Sequence, residues 1–261
     1  MNLKQSILTN NACYKAGKKI TVKGLMLHSV GCPQPSAAAF VKSWNKPTMK
    51  LGVHAFIDGN DGTIHQTLPW NHRGVHCGGS ANNTHIGVEM CEPASIKYIT
   101  GSTFKDLDPV KTKEVVLRTY HAAVELFAHL CKQYKLNPLA DGVIISHAEG
   151  CKRGIASNHG DPEHLWKVCG LSMNAFRIAV QARMNQGGTN TPPVTEKPVS
   201  VNFRAKVTVS ALNIRSGAGI KFPIVGCICD NGVYTIVQTK GDWGKLKSGA
   251  GWINLKYTKK I

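Results

Sequence analysis

A segment rich in glycine, proline and threonine divides this chain into two parts of different character. The segment is NQGGTNTPPVTEKPVSVN, residues 185–202 of 261, and it shows no apolar periodicity. Before it, strand-like and helix-like patterns alternate; after it, short alternating runs are separated by glycines. We therefore predict two domains, residues 1–186 and 201–261, joined by a linker at 187–200.

The first part is predicted to be an α/β domain with a mixed central sheet flanked by helices. Five strands are predicted, at residues 22–30, 52–58, 62–68, 85–92 and 142–147. Helices are predicted at residues 35–45, 108–134 and 172–186. The longest has the clearest pattern, because Asp108 can cap it, Pro109 suits its first turn and its apolar residues recur every three or four positions.

The second part is predicted to be a small all-β barrel. Runs such as RAKVTVSALNIRS and VYTIVQT alternate apolar and polar residues over strand-like lengths. Trp243, Trp252 and Tyr257 have two interpretations, either stacking on a sugar or peptide ligand or filling the barrel core. Core packing is the favoured interpretation for Trp252.

The charge of the chain indicates a polyanionic partner. The formal net charge is +17, and the smaller second part is the more basic per residue. Nucleic acid and the anionic bacterial wall are both candidates. No zinc-finger spacing, helix-turn-helix or RNA-binding aromatic motif is visible, so the sequence favours the wall.

Cysteine usage and the N-terminal residues predict synthesis in a cytosol. The nine cysteines include no CxxC, and the closest pair is Cys227-x-Cys229, so most are expected to be free, buried thiols. Residues 1–20 lack the apolar run of a signal peptide, and no transmembrane stretch occurs. We expect no membrane insertion.

Three residues that are far apart in the sequence suggest a metal site. His28 and His147 each lie at the end of a predicted hydrophobic strand, and Asp161 begins a turn at Pro162. Side chains from strand ends converge above a sheet, and two imidazoles with one carboxylate suit zinc with an open position. Spacing alone leaves open that these histidines are unrelated.

Six motifs in order strengthen this interpretation. They are LMLHS (25–29), HAFIDGNDGTIHQ (54–66), GVHCGG (74–79), HIGVEMCE (85–92), ISHAEG (145–150) and HGDP (159–162). Through them, residues 24–183 resemble the zinc-dependent N-acetylmuramoyl-L-alanine amidases, the family that also contains animal peptidoglycan-recognition proteins. The resemblance implies one Zn²⁺ ion bound by His28, His147 and Asp161.

The same resemblance implies roles for three more residues. Glu89 corresponds to the family's glutamate near the zinc water, although a place on a solvated edge is the alternative. His159 stands where many relatives have a lysine and is expected to stabilise the oxyanion as a hydrogen-bond donor. His76 corresponds to a histidine that lines the substrate groove.

The second part resembles the bacterial SH3-like wall-binding domain through LNIRSG (212–217) and GWI (251–253). Together the resemblances predict a hydrolase that cuts peptidoglycan between N-acetylmuramic acid and L-alanine. Peptidoglycan and anionic wall polymers are the expected partners. A phage or prophage endolysin, released through a holin lesion, is the leading interpretation. The alternatives are a bacterial autolysin and a non-catalytic recognition protein.

Overall fold

The computed structural model describes residues 1–185, 199–220, 222 and 224–261. The chain divides into two compact units, Met1–Thr189 and Asn190–Ile261. The predicted linker lies outside the described residues except for its last two, which begin a strand of the second unit. Each unit has a hydrophobic core of its own and is described by itself.

The first unit contains eight strands and six α-helices among its described residues. The strands are β1 (Leu3–Gln5), β2 (Gly24–Ser29), β3 (Ala55–Ile57), β4 (Ile64–Gln66), β5 (His85–Met90), β6 (Ile96–Thr100), β7 (Thr103–Asp106) and β8 (Ile144–Ser146). The helices are α1 (Ala12–Ala16), α2 (Ala37–Trp44), α3 (Pro109–Gln133), α4 (His147–Lys152), α5 (Glu163–Trp166) and α6 (Met173–Asn185). The strands and helices predicted for this part of the chain are all present, with slightly different ends.

Six of these strands form one mixed sheet in the order β1-β4-β3-β5-β2-β8. Strands β3, β5, β2 and β8 run parallel, whereas β4 is antiparallel to β3. Every residue of β2 is buried, as expected for a parallel strand covered on both faces. This sheet confirms the predicted mixed α/β fold, and it places the carboxyl ends of β5, β2 and β8 side by side.

Helix α3 covers one face of the sheet and begins as predicted. The Asp108 carboxylate accepts the amide of Lys111 at 3.1 Å, and proline occupies the first turn. Its apolar stripe includes Tyr120 and Phe127, whose rings lie 5.5 and 5.1 Å from that of Phe176 on α6. These aromatic contacts fix the two helices against each other and against the sheet.

The hairpin formed by β6 and β7 was not predicted. Its outward positions include the apolar Ile99 as well as Lys97 and Lys105, so apolar and polar residues do not alternate cleanly enough to give a strand signal. Inward-facing Tyr98 donates a hydrogen bond to Glu92 at 2.8 Å, and its oxygen lies 2.6 Å from Nε2 of His164. The hairpin therefore packs on the segment that follows Asp161.

The second unit is an antiparallel sheet of seven strands. They are β9 (Val199–Val207), β10 (Leu212–Arg215), β11 (Ile224–Ile228), β12 (Val233–Lys240), β13 (Trp243–Leu246), β14 (Trp252–Asn254) and β15 (Thr258–Lys260). Their order is β11-β10-β14-β13-β12-β9-β15. A separate all-β second domain is thus confirmed. Trp252 is buried, in agreement with the core interpretation, whereas Trp243 and Tyr257 are half-buried.

All nine cysteines are free thiols. Four of them are buried, so the expectation that most would be buried was wrong; Cys227 and Cys229 are exposed, with sulfur atoms 3.3 Å apart. No helix among the described residues is both long enough and apolar enough to cross a bilayer.

A buried histidine makes the first unit sensitive to acid. His54 donates from Nε2 to the carbonyl of His72 at 2.8 Å and accepts the amide of Gly87 at Nδ1, at 3.0 Å. These two bonds require the neutral ring, and burial lowers the pKa of His54 to about 4. As the pH falls, His54 is therefore protonated in the unfolded chain at a higher pH than in the folded one.

We expect the free energy of unfolding to decrease between about pH 6.5 and about pH 4, with His54 contributing on the order of 3 kcal/mol. Above pH 6.5 both states carry neutral His54 and the contribution is constant. Denaturant unfolding of the wild type and of His54→Gln across this range measures it. An equally steep decrease in the variant would contradict the assignment to His54.

Candidate metal centre and active site

Neighbouring strand ends bring the first two predicted ligands together. Strands β2 and β8 pair in parallel with Leu27 opposite Ser146, so His28 and His147 each follow a member of that pair. Their Nδ1 atoms lie 3.0 Å apart, and both side chains are buried. The sheet register alone therefore places these imidazoles face to edge.

Asp161 completes the group from the turn before α5. Its Oδ2 lies 3.4 Å from Nδ1 of His28, and its Oδ1 lies 3.5 Å from Nδ1 of His147. The main-chain amide of Ser29 donates to Oδ2 at 3.2 Å, which holds the carboxylate against the end of β2. One ligand atom from each of the three buried residues lies within 4.8 Å of the others.

The chemistry of this donor set fits a divalent cation. Burial, followed by the charge of His28, lowers the pKa of His147 to about 4, so its ring is neutral and can act as a ligand. Burial acts to raise the pKa of Asp161, but the hydrogen bond and charge of His28 outweigh it and hold that pKa below its usual range. Two imidazoles and one carboxylate are ligands that zinc accepts.

Glu89 lies directly beside this group. It is the register partner of His28 on β5, a strand in the interior of the sheet, so the solvated-edge alternative is wrong. Among the described residues, no hydrogen-bond partner reaches its buried Oε2 atom. Burial, then the charges of Asp161 and Glu92, raise the pKa of Glu89 well above its usual range. A carboxyl with one buried oxygen that lacks a partner is typical of functional sites.

His159 lies on the solvent side of the group. Its side chain is exposed, and its ring centroid is 4.5 Å from that of His147. Its Nδ1 atom lies 3.0 Å from Oγ of Ser157. The ring therefore combines proximity to a buried ligand with access from solvent.

His76 contacts the edge of the His28 ring that faces away from Asp161. Its Nε2 lies 3.1 Å from the carbonyl oxygen of His85, to which that nitrogen must donate. Nδ1 of His76 is then an acceptor, 3.0 Å from Nε2 of His28. In the neutral ring of His28, the hydrogen is consequently on Nε2 and the Nδ1 lone pair faces His147 and Asp161, whereas the hydrogen bond from Nδ1 to Asp161 belongs to the protonated ring.

Gly87 provides the space for the His76 ring. A Cβ atom at position 87 would lie 2.4 Å from Cγ of His76. We expect Gly87→Ala to displace His76, to lower the free energy of unfolding by about 1–3 kcal/mol and to weaken zinc binding about 10–100-fold. Denaturant unfolding and a zinc competition titration measure the two effects.

Gly226→Ala is the matched control, because its added Cβ would make ordinary contact with Ile214 at 3.5 Å in the second unit. It should leave zinc affinity unchanged. Wild-type zinc affinity in Gly87→Ala would contradict the link from Gly87 through His76 to His28.

Sequence reasoning missed several residues around the site. Ser157 lies between His147 and His159, and its partners are 10 and 2 residues away. Glu92, fully buried behind Asp161, accepts from Tyr98 and from the amide of Gly31, and burial raises its pKa to about 7. A buried acid near the end of β5 was a visible signal for Glu92, whereas no local pattern identifies Ser157.

The comparison with protein families identifies the first unit. Residues 18–164 match the family model described as N-acetylmuramoyl-L-alanine amidase, and this match covers more than half of the chain. The chain belongs to this amidase family. Members of the amidase family are typically zinc enzymes, and the buried group His28, His147 and Asp161 is suited to a metal.

Two solved structures with TM-scores of at least 0.50 share the fold of the first unit. The hydrolase AmiA of Staphylococcus aureus matches with a TM-score of 0.53 and 16% identity, over 72% of this chain and 86% of AmiA. The catalytic domain of PlyG matches with a TM-score of 0.50 and 16% identity, over 74% of this chain and 99% of that domain. A mutant endolysin from Bacillus subtilis matches with a TM-score of 0.48 and 20% identity, over 69% of this chain and 99% of that one. None of the curated sequences compared with this amidase matches it.

Proposed function

We propose that the chain is a peptidoglycan hydrolase that cleaves the amide bond between N-acetylmuramic acid and L-alanine. The observation that carries the proposal is a buried His28–His147–Asp161 group next to Glu89, whose buried Oε2 atom has no hydrogen-bond partner among the described residues. Family membership supports the same reaction. In this proposal residues 1–186 form the catalytic domain and residues 201–261 a wall-binding domain.

The proposed cofactor is one zinc ion, held by His28 and His147 through Nδ1 and by the carboxylate of Asp161. When bound, zinc supplies a Lewis acid that polarises the scissile carbonyl and makes water more acidic. His76 keeps the His28 lone pair pointed at this site. We therefore assign His76 a positioning role, in place of the substrate-lining role that the sequence suggested.

Glu89 is the proposed general base and acid. Its Oε2 atom is not engaged by any described residue, so it is available to accept a proton from the attacking water and return it to the leaving amine. Burial raises the pKa of Glu89, which makes its carboxylate a stronger base for the first transfer. The charge of a nearby cation would lower that pKa, which keeps the carboxylate ionised before this transfer and favours release of the proton in the second. His159, exposed beside His147, is the proposed donor to the developing oxyanion.

The second unit is proposed to be an SH3-like domain that binds the wall. Lys206 on β9 lies directly opposite Lys259 on β15, and both are exposed, as is Arg204 on the same face of β9. Like charges in register destabilise a sheet unless an anion lies over them. Peptide carboxylates and anionic wall polymers have the required charge.

A direct assay tests the reaction. Purified cell wall is digested with the full chain, with and without a chelator, and newly exposed alanine amino groups are measured. We expect release of amino groups that the chelator abolishes and zinc restores. Release of reducing sugars would contradict the amidase assignment, and wall binding without any release would indicate the non-catalytic recognition alternative.

A second assay tests the biological setting. As a phage or prophage endolysin, the enzyme would accumulate in the host cytoplasm and reach the wall through a holin lesion. Cells expressing it should lyse only after their membrane is permeabilised. Lysis without permeabilisation would favour an exported autolysin with the same chemistry.

A further inference from the structure

Ser157 occupies a position between two histidines of the site. Its Oγ atom lies 3.1 Å from Nε2 of His147 and 3.0 Å from Nδ1 of His159. The carbonyl oxygen of Cys77 lies 3.1 Å from the same Oγ. One hydroxyl thus touches a proposed metal ligand, the proposed oxyanion donor and the main chain.

The neighbouring contacts limit where the hydrogens around Oγ can point. Nδ1 of His147 faces His28 and Asp161, so the hydrogen of its neutral ring is on Nε2 and points at Ser157. Oγ accepts this hydrogen and retains its own for donation. The hydroxyl hydrogen then has two acceptors within reach: the Cys77 carbonyl oxygen at 3.1 Å, which also accepts the main-chain amide of Ser157 at 2.7 Å, and Nδ1 of His159 at 3.0 Å.

We propose that Ser157 is a positioning residue that orders both histidines through one hydroxyl. This inference rests on the proposed function. By accepting from His147, Ser157 keeps the Nδ1 lone pair of His147 directed at the metal site. By donating to Nδ1 of His159, it fixes that exposed ring so that Nε2–H faces the side from which substrate approaches.

The surroundings hold Ser157 in this position. A Cβ atom on Gly78 would lie 2.9 Å from Oγ of Ser157, and Gly78 has a left-handed φ of 63° that favours glycine. The loop at Gly78 therefore closes over the serine without displacing it. The hydrogen bond from the Ser157 amide to the Cys77 carbonyl fixes the main chain, and the close approach of Gly78 leaves the Ser157 hydroxyl little freedom to turn away.

The test is Ser157→Ala in the full chain, which removes one oxygen and adds no bulk. At saturating zinc we expect kcat for alanine-amine release to fall about 10–100-fold, with KM nearly unchanged, and zinc affinity to fall by a similar factor. Ser157→Thr keeps the hydroxyl and should restore both. Unchanged kcat together with unchanged zinc affinity in Ser157→Ala would overturn the proposal.

A double-mutant cycle isolates the contribution that passes through His159. If Ser157 acts on catalysis by orienting His159, Ser157→Ala should reduce kcat no further in a His159→Ala background at saturating zinc. Fully additive losses would overturn this part of the proposal.

Nitrogen NMR of the histidine-labelled full chain provides a readout that needs no activity. In the wild type, the His159 signals, assigned by their absence in His159→Ala, should show hydrogen on Nε2 and a hydrogen-bonded Nδ1. In Ser157→Ala the Nδ1 signal should shift. An unshifted signal counts against the proposal even if the wild type proves not to be an amidase, so the two failures remain distinguishable.

Discussion

Replacing Glu89 with glutamine is expected to lower kcat for amide cleavage by about 10²–10⁴-fold while the metal content stays at the wild-type level. Glutamine has nearly the same shape but cannot take up and return the proton. Glu89 is not among the three residues of the ligand group, so zinc binding should persist. Kinetics of alanine-amine release and elemental analysis of the same preparation measure the two quantities.

The same substitution should not reduce stability. In the wild type, burial raises the pKa of Glu89, so the folded protein bears the cost of an ionisable carboxyl at this position, and neutral glutamine removes that cost. The free energy of unfolding of Glu89→Gln should therefore equal or exceed the wild-type value in the metal-free protein. Glu114→Gln, exposed on α3, is the matched control and should change neither activity nor stability. Wild-type kcat in Glu89→Gln would disprove the acid–base role.

Asp161→Asn is expected to abolish both zinc-dependent stabilisation and activity. A ligand present at about 1,000 times its dissociation constant stabilises a protein by about 4 kcal/mol. We expect the wild type to gain stability of this order on saturation with zinc, whereas Asp161→Asn gains far less at the same zinc concentration. The amide keeps an oxygen for the Ser29 amide but loses the negative charge that a cation requires.

Thermal or denaturant unfolding with zinc and with a chelator measures this difference. Asp141→Asn is the control, since Asp141 forms an exposed ion pair with Arg153 and such pairs contribute little. A full zinc-dependent gain in Asp161→Asn would show that the cation binds elsewhere. Wild-type activity in that variant would remove Asp161 from the proposed mechanism.

The sequence predicted those elements whose signal is local. Helix α3 begins at a capping aspartate followed by proline, and β2 and β8 begin as apolar runs that end in polar residues, so their positions follow from a few neighbouring residues. Strand β1 and the β6–β7 hairpin were missed. Leu3–Gln5 is a strand only because it pairs with β4, and no three-residue pattern records such a partner.

The residues of the site also divide into those with a signal in the sequence and those without one. His28, His147 and Asp161 could be named because strand ends and ordered family motifs identify them. The positioning role proposed for His76 depends on the carbonyl of His85 and on the missing side chain of Gly87, which are contacts that only the folded chain makes. Motif matching therefore places His76 in the site but does not reveal which atom of His28 it contacts.

The contact between the β6–β7 hairpin and the residues around Asp161 has a consequence for protein engineering. Tyr98 joins Glu92 to His164, and Ser102 at the hairpin tip lies so near Gly160 that a Cβ there would be 2.6 Å from its hydroxyl. Recombination with homologous enzymes should therefore transfer residues 92–106 and 159–166 as one inherited block. A chimaera that takes residues 92–106 from one parent and residues 159–166 from another would join two surfaces that do not match each other.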